Sequence, residues 1–277
     1  MIKNITPKTK VTQEINRSNY YSNRMDWAYM SATLLKNFMQ CEAQALHSLK
    51  NPVENDALPL LVGNYLHSHF ESDEAFESFC NEHKSKLFTR TNTLRADFKK
   101  ADRMIKRLES DAMFNFFYNS PENEKEVILD GELYGVPWKA RIDSLNVKDG
   151  YFCDLKTTQD LHKRYWSVER HEWVSFFDQY NYALQMVAYK KLLQQKYHKP
   201  FTCYIFAIDK TDSPGLAALE VPFDEMEEQL NVIEEYQPRV LQIERDEVTP
   251  ARCGVCDYCK QTMQLDGFIK DPQELIS

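Results

Sequence analysis

Ala140-Arg141-Ile142-Asp143-Ser144-Leu145, a Lys148-Asp149-Gly150 turn, and then Tyr151-Phe152-Cys153-Asp154-Leu155-Lys156-Thr157-Thr158 is the stretch from which the fold can be read. Both flanks are short and rich in β-branched and aromatic residues, and Asp-Gly between such runs is a strong hairpin signal. A two-residue loop at Lys148-Asp149 or at Asp149-Gly150 sets a register in which Asp143, Asp154 and Lys156 point to one face. Three charged groups buried on a sheet face are costly unless the acids are neutralised. Carboxylate oxygens suit Mg²⁺ or Mn²⁺, which keep several waters and accept phosphate oxygens. The pattern therefore points to metal-assisted phosphodiester cleavage. Lys156 can position the attacking water as a cation or, with a depressed pKa, take its proton; the sequence leaves both roles open.

Working outward, strands are expected over 126–134, 138–147, 151–157 and 201–208, with Gly135-Val136-Pro137 and the Asp-Gly turn between the first three. Ser31 can cap a helix running through Leu34, Leu35, Phe38 and Ala45. Further helices are expected over 60–79, within 92–117, and over 173–197, the last stopped before Pro200. Gly63 and His67 lie one helical turn apart, so a glycine there would let that face approach the sheet and His67 could reach a metal through an imidazole nitrogen. His69 falls on another face and reads as an ordinary polar side chain. Gln185 and Tyr189, at i and i+4, lie side by side on the helix behind the hairpin.

These motifs, in this order, resemble the PD-(D/E)xK nuclease superfamily, and within it the RecE-type exonucleases of prophage recombination systems (exodeoxyribonuclease VIII). Asp143 matches the first acid, Asp154-Leu155-Lys156 the D/E-x-K, Gly63-x-x-x-His67 the upstream glycine and histidine, and Gln185-x-x-x-Tyr189 the downstream signature. The acidic stretch from Glu71 to Phe76 also has a counterpart; Ile142 stands where the superfamily's proline would be. The resemblance implies an α/β (α+β) restriction-endonuclease-like core, a central mixed sheet flanked by helices, with N- and C-terminal helical extensions. It implies that His67, Asp143, Asp154 and the Leu155 carbonyl bind metal, and that Gln185 and Tyr189 contact the scissile phosphate or hold the lysine and water. It further implies digestion of linear duplex DNA from the 5′ end, leaving a 3′ single strand for an annealing protein, by a closed homo-oligomeric ring.

The chain of 277 residues, 43% hydrophobic and 13% aromatic, can bury a substantial core as one enzyme-sized domain. Residues 1–24 read as a polar segment, although Tyr20, Tyr21 and the following Trp27 could dock; 25–247 read as the nuclease domain, and 248–277 as a cysteine-bearing segment packed on it. No apolar run is long enough to span a membrane and no signal-peptide core is present, so a cytoplasmic protein without membrane contact is expected.

A net charge of −8 looks wrong for a DNA-binding protein, but residues 220–247 hold ten acids against Arg239 and Arg245, which alone is −8 and leaves the remainder neutral. That segment reads as a solvated helix broken at Pro238. Arg141, Lys163, Arg164 and Trp166 are candidates for the DNA path, the last three by interleaving charge with aromatics.

Seven cysteines in a reducing compartment do not suggest structural disulfides. Cys253, Cys256 and Cys259 follow each other at x2 spacing, and Cys41 could be a fourth ligand. The layout is similar to that of the cluster-bearing AddB and CRISPR-associated nucleases, which hold a [4Fe-4S] cluster with one early and three late cysteines, though here the second interval is shorter. No metal, an iron–sulfur cluster and tetrahedral zinc all remain open. Cys80, Cys153 and Cys203 read as ordinary buried thiols. Two alternatives to the duplex exonuclease follow: an iron–sulfur nuclease acting on single strands, and a catalytically silent DNA-binding subunit of the same fold.

Overall fold

The computed structural model describes residues 14–53, 57–167, 170–265 and 267–268. Among these, five strands form one mixed sheet in the order β1-β2-β3-β6-β7: β1 (Glu124–Leu133), β2 (Val136–Asn146), β3 (Tyr151–Thr158), β6 (Thr202–Asp209) and β7 (Leu216–Glu220). The β3/β6 pair is parallel and the other three pairs are antiparallel. A small separate hairpin joins β4 (Tyr165–Ser167) to β5 (Glu172–Val174).

Helices cover both sheet faces. On one side α10 (Tyr182–Tyr197) lies over β1, β2 and β6, backed by α2 (Ala32–Gln40), α3 (Glu42–Lys50) and α11 (Phe223–Glu244), around a core of Trp138, Ile142, Phe152, Leu184 and Ile205. The opposite side packs α4 (Leu58–Glu71), α7 (Ala96–Glu109) and α8 (Ala112–Phe117) on Tyr151, Cys153, Leu155, Phe206 and Ile208. Short helices α1 (Asn23–Ala28), α5 (Asp73–Glu82), α6 (Lys84–Leu87), α9 (Phe176–Gln179) and α12 (Asp257–Gln261) fill the connections. This is the mixed sheet flanked by helices that the hairpin and its companions foretold. No helix among the described residues is long and apolar enough to cross a membrane.

Strand alternation sorts β3: Phe152 enters the α10-side core, while Tyr151, Cys153 and Leu155 enter the α4-side core. Gly131 has a steric reason to be glycine, since a Cβ there would meet Leu192 Cδ2 and Gln195 Oε1 of α10, both at 2.7 Å. Gly63 does not: a Cβ would sit 3.8 Å from Thr157 Oγ1, an ordinary contact, so close approach of α4 to the sheet is not what it supplies.

Several expected elements are divided. The helix through Ala45 is two, hinged at extended Cys41, and the helix over 60–79 breaks at Ser72, whose side chain accepts from the Ala75 N–H and starts α5. Within 92–117, Asp111 accepts from the N–H groups of Met113 and Phe114 and begins α8 afresh. Trp173 belongs to β5, not to a helix; α10 begins after Asn181, which adopts the left-handed conformation (φ 44) and caps it. In the acidic segment, β7 accounts for the start and α11 runs unbroken through Pro238. Met226, Ile233, Val240 and Ile243 bury one face of α11, and Gln237 links Trp138 Nε1 to the Leu133 carbonyl, so packing holds the helix across the missing amide.

Of the polar N-terminal segment, residues 1–13 lie outside the described residues, and 14–24 are docked. Ile15 and Tyr20 join Met25, Ala28 and Tyr29 in a small cluster, and Arg17 pairs with Glu71 at 2.5 Å.

Candidate metal and catalytic site

The hairpin pairs Ser144 with Cys153, Leu145 with Phe152 and Asn146 with Tyr151, the register of a turn centred on Lys148-Asp149. Continued, it sets Asp143 opposite Asp154. The ladder stops before that pair, however. Asp143 Oδ2 takes the Leu155 N–H at 2.7 Å, so a side chain replaces the main-chain partner and wedges the two strands apart. Ile142 and Leu145, three residues apart, both enter the α10-side core, so β2 switches face at Asp143-Ser144. Opposite this point Glu126 is left-handed (φ 53), while the β1/β2 pairs on either side keep one offset.

The three charges therefore do not share one face of a regular ladder. Asp154 and Lys156 side with α10, whereas Asp143 leans toward α4, where His67 Nδ1 lies 3.5 Å from its Oδ2. Glu126 Oε1 lies 3.9 Å from the same imidazole nitrogen. His67, Glu126 and Asp143 each offer a ligand atom, all within 4.8 Å of one another. Glu126 was not legible as a site residue. It is buried, and its carboxyl is pushed up to about 8, first by burial and then by Asp143, against the opposing pull of Arg141. A buried acid whose ionisation Asp143 disfavours, with an imidazole beside it, belongs to a donor set that fits a divalent cation.

On the other side of the wedge, Asp154 is almost wholly enclosed. Lys156 Nζ stands 2.6 Å from its Oδ2, and Gln185 Nε2 donates to its Oδ1 at 3.0 Å. Burial raises the Asp154 carboxyl against the pull of Lys156. For Lys156, burial acts downward, yet the adjacent Asp154 prevails and holds the ammonium above its ordinary value. Without a bound ion, the contact with Asp154 thus favours the cationic form of Lys156. Lys156 donates to Gln185 Oε1 at 3.3 Å and lies over the Tyr182 ring, 4.9 Å from its centroid. Gln185 also donates to the Tyr189 hydroxyl at 3.1 Å. Tyr189 is buried, with its hydroxyl against the Gln185 amide.

A second lysine escaped the sequence reading. Lys36 of α2 donates to the Tyr180 carbonyl at 3.0 Å and lies 5.4 Å from the same Tyr182 ring. Burial, and then Lys156, bring its pKa down to about 7.

The expected DNA contacts divide. Arg141 is committed internally: its Nε pairs with Glu126, its guanidinium reaches Glu71 at 3.4 Å, and it donates to the Tyr21 hydroxyl at 2.6 Å. Trp166 is exposed on the β4–β5 hairpin, edge-on to exposed Trp173, with Lys163 over the Tyr165 ring and Arg164 over the Trp173 ring. His69 binds Glu109 at 2.9 Å, in keeping with an ordinary polar role. Cys41, Cys253, Cys256 and Cys259 converge at a separate corner formed by α2, α3 and the C-terminal segment. Cys153 and Cys203 are buried, and Cys80 is half-buried.

Comparison with known proteins bears on this geometry. A family model described as a PDDEXK-like domain of unknown function (DUF3799) matches residues 31–262. The crystal structure of a protein from Eubacterium rectale, named as a presumptive exonuclease, superposes with a TM-score of 0.85 at 28% identity, covering 95% of this chain and 98% of that one. The crystal structure of SSO0001 also matches, at 14% identity over 82% of this chain and 91% of that one, but its TM-score of 0.33 is too low to bear on the fold. No curated protein matches.

Proposed function

The chain belongs to the family of PDDEXK-like domains denoted DUF3799, and from that premise we propose that it is a divalent-metal-dependent exodeoxyribonuclease acting at the ends of linear duplex DNA. One observation carries the reading: the strand wedge at Asp143 sets an acid–imidazole group on one side against an enclosed Asp154–Lys156–Gln185 group on the other. Near-full-length likeness to a protein named as an exonuclease supports it.

His67, Glu126 and Asp143 would hold Mg²⁺ or Mn²⁺, and Asp154 and the Leu155 carbonyl are the further oxygen donors we assign to it. When bound, the ion would neutralise the acids and polarise a phosphate oxygen. Lys156, kept protonated by Asp154, would donate a hydrogen bond to the attacking water and fix its line of approach. Gln185 would hold Lys156 and Asp154 in mutual orientation, with Tyr189 bracing the amide. Lys36, close to half-charged at neutral pH, would regain its proton when a phosphate approaches, adding attraction where the strand enters.

We extend the proposal to 5′→3′ polarity, a 3′ single-stranded product handed to a strand-annealing protein, and a closed ring of subunits around the duplex, as the RecE-type resemblance implies. In such a ring the local potential of the channel, and not the whole-chain charge, governs DNA binding. The Trp166/Trp173 hairpin is a candidate platform for the separated strand.

The test is digestion of linear duplex labelled at the 5′ or the 3′ end, beside covalently closed duplex, with Mn²⁺ or with chelator. Mononucleotide release from the 5′ label alone, on linear DNA alone, and only with the ion, is the expected result. Cutting of closed circles, or DNA binding without any cleavage, would replace it with an endonuclease or a silent subunit.

A further inference from the structure

The four cysteines at the α2–α3 corner form a second metal-ligating group, and their spacing says which kind of centre they suit. Cys41 Sγ lies 3.6 Å from Cys259 Sγ and 3.8 Å from Cys256 Sγ, and Cys253 Sγ lies 3.9 Å from Cys259 Sγ. All four sulfurs fall within 4.8 Å of one another. A disulfide would bring one pair to about 2 Å. Four thiolates around a single tetrahedral ion at a bond length of about 2.3 Å stand about 3.8 Å apart from edge geometry, close to the Cys41–Cys259, Cys41–Cys256 and Cys253–Cys259 separations. A four-iron cluster instead places each thiolate on a different corner iron, with the whole cluster between them, and needs a wider cage.

Other features of this corner agree with a metal centre. The Cys256 N–H donates to Cys253 Sγ at 3.3 Å and the Cys259 N–H to Cys256 Sγ at 3.4 Å, the backbone-to-sulfur bonds that steady thiolate ligands. Gly254, left-handed at φ 76, makes the tight turn that brings the first two of these thiols together. Around the sulfurs the apolar contacts are few: Cys41, Ala43 and Cys259, with Cys256 and Tyr258 beside them. Val255, Met263 and Leu265 of the same segment face solvent. Such a small core does not fix a chain segment by itself. Yet the segment is fixed, since Ala251 exchanges hydrogen bonds with the first turn of α3: its N–H donates to Glu42 Oε2 at 2.6 Å, and its carbonyl accepts from Ala43 N at 3.0 Å.

We propose that Cys41, Cys253, Cys256 and Cys259 bind one tetrahedral zinc ion, a clasp that fastens the C-terminal segment onto the α2–α3 corner. The clasp uses none of the residues of the nuclease site, so it stands or falls independently of the proposed activity. Its ligands are deprotonated, so zinc binding releases thiol protons and acid loosens the clasp.

Tag-free, full-length protein purified both aerobically and under anaerobic conditions, then analysed for zinc, iron and acid-labile sulfide, tests the assignment. One zinc per chain, no colour in either preparation, and four thiols that react with a thiol reagent only after a strong chelator is added are expected. Cobalt substituted for zinc should give the intense visible ligand-field bands of a tetrahedral thiolate site. Cys41→Ser and Cys256→Ser should each lose the zinc; metal analysis of the unmutated protein decides the matter if either variant fails to fold. Iron with labile sulfide in the anaerobic preparation would overturn the proposal in favour of a cluster. Full zinc occupancy in both variants, or a metal-free chain with all four thiols freely reactive, would also overturn it.

Discussion

Replacing Glu126 by glutamine probes the acid that strand geometry forces into the interior. The carboxyl is 4% exposed, and its pKa is pushed from an ordinary 4.5 up to about 8 by burial and by Asp143. The sign follows from proton occupancy. Above pH 4.5 the unfolded chain gives up this proton, while the metal-free folded chain keeps it to about pH 8. Folded stability therefore falls as pH rises through that window, by about 1.4 kcal/mol per unit at most, and levels off above it. Because Arg141 opposes the shift, about 2–5 kcal/mol over the whole window is the expected scale. An amide at this position cannot ionise. The Glu126→Gln variant should match the unmutated protein near pH 4.5 and exceed it by that amount at pH 8, in chelator.

Added Mn²⁺ should reverse the ranking. Bound at about one hundred times its dissociation constant, an ion adds about 2.7 kcal/mol, and in the unmutated protein this gain should grow toward pH 8 as the ion displaces the proton. The variant should gain little. Urea titrations at pH 5, 6.5 and 8, with chelator or with Mn²⁺, give all the needed differences through shifts in midpoint at constant slope. Parallel pH dependences for the two proteins in chelator, or full Mn²⁺ stabilisation of the variant, would refute the reasoning.

Other outcomes follow from the same geometry. Lys156→Met removes the cation beside Asp154 and should slow single-turnover cleavage about 10²- to 10⁴-fold; Mn²⁺-induced stabilisation should survive, because His67, Glu126 and Asp143 are untouched, and calorimetry reads the two effects separately. Trp173→Ala should weaken single-strand binding by about 1–3 kcal/mol for each base that stacks there, leaving the salt dependence intact; unchanged affinity by fluorescence anisotropy would remove the hairpin from the DNA path. Gly131→Val drives a side chain into Leu192 and Gln195 and should cost about 1–3 kcal/mol by overpacking, measurable as a lowered urea midpoint.

How much of this was legible depended on whether a feature was local. The hairpin was legible through turn chemistry, which left a loop at Lys148-Asp149 or at Asp149-Gly150 open; the structure takes the first, and with it the opposition of Asp143 and Asp154. Gln185 and Tyr189 were legible as neighbours because helical spacing guarantees it. Glu126 was not, since its role depends on a left-handed residue facing the point where β2 switches face, and neither departure leaves a mark in periodicity. Helix breaks at Cys41 and Ser72 were hidden because apolar spacing continues across them. Pro238 misled in the opposite sense: propensity argued for a break, and packing of Ile233, Gln237 and Val240 overrode it. The β4–β5 hairpin was obscured because its strands have three residues each, too few for alternation to register.

Anomalous scattering from crystals soaked in Mn²⁺ addresses the account at its centre. An ion peak among the His67 imidazole and the Glu126 and Asp143 carboxylates, lost in Asp143→Asn together with nucleotide release, is the result the account requires. A crystal of protein that degrades DNA in solution yet shows no ion there, or an ion held by other residues altogether, would contradict it.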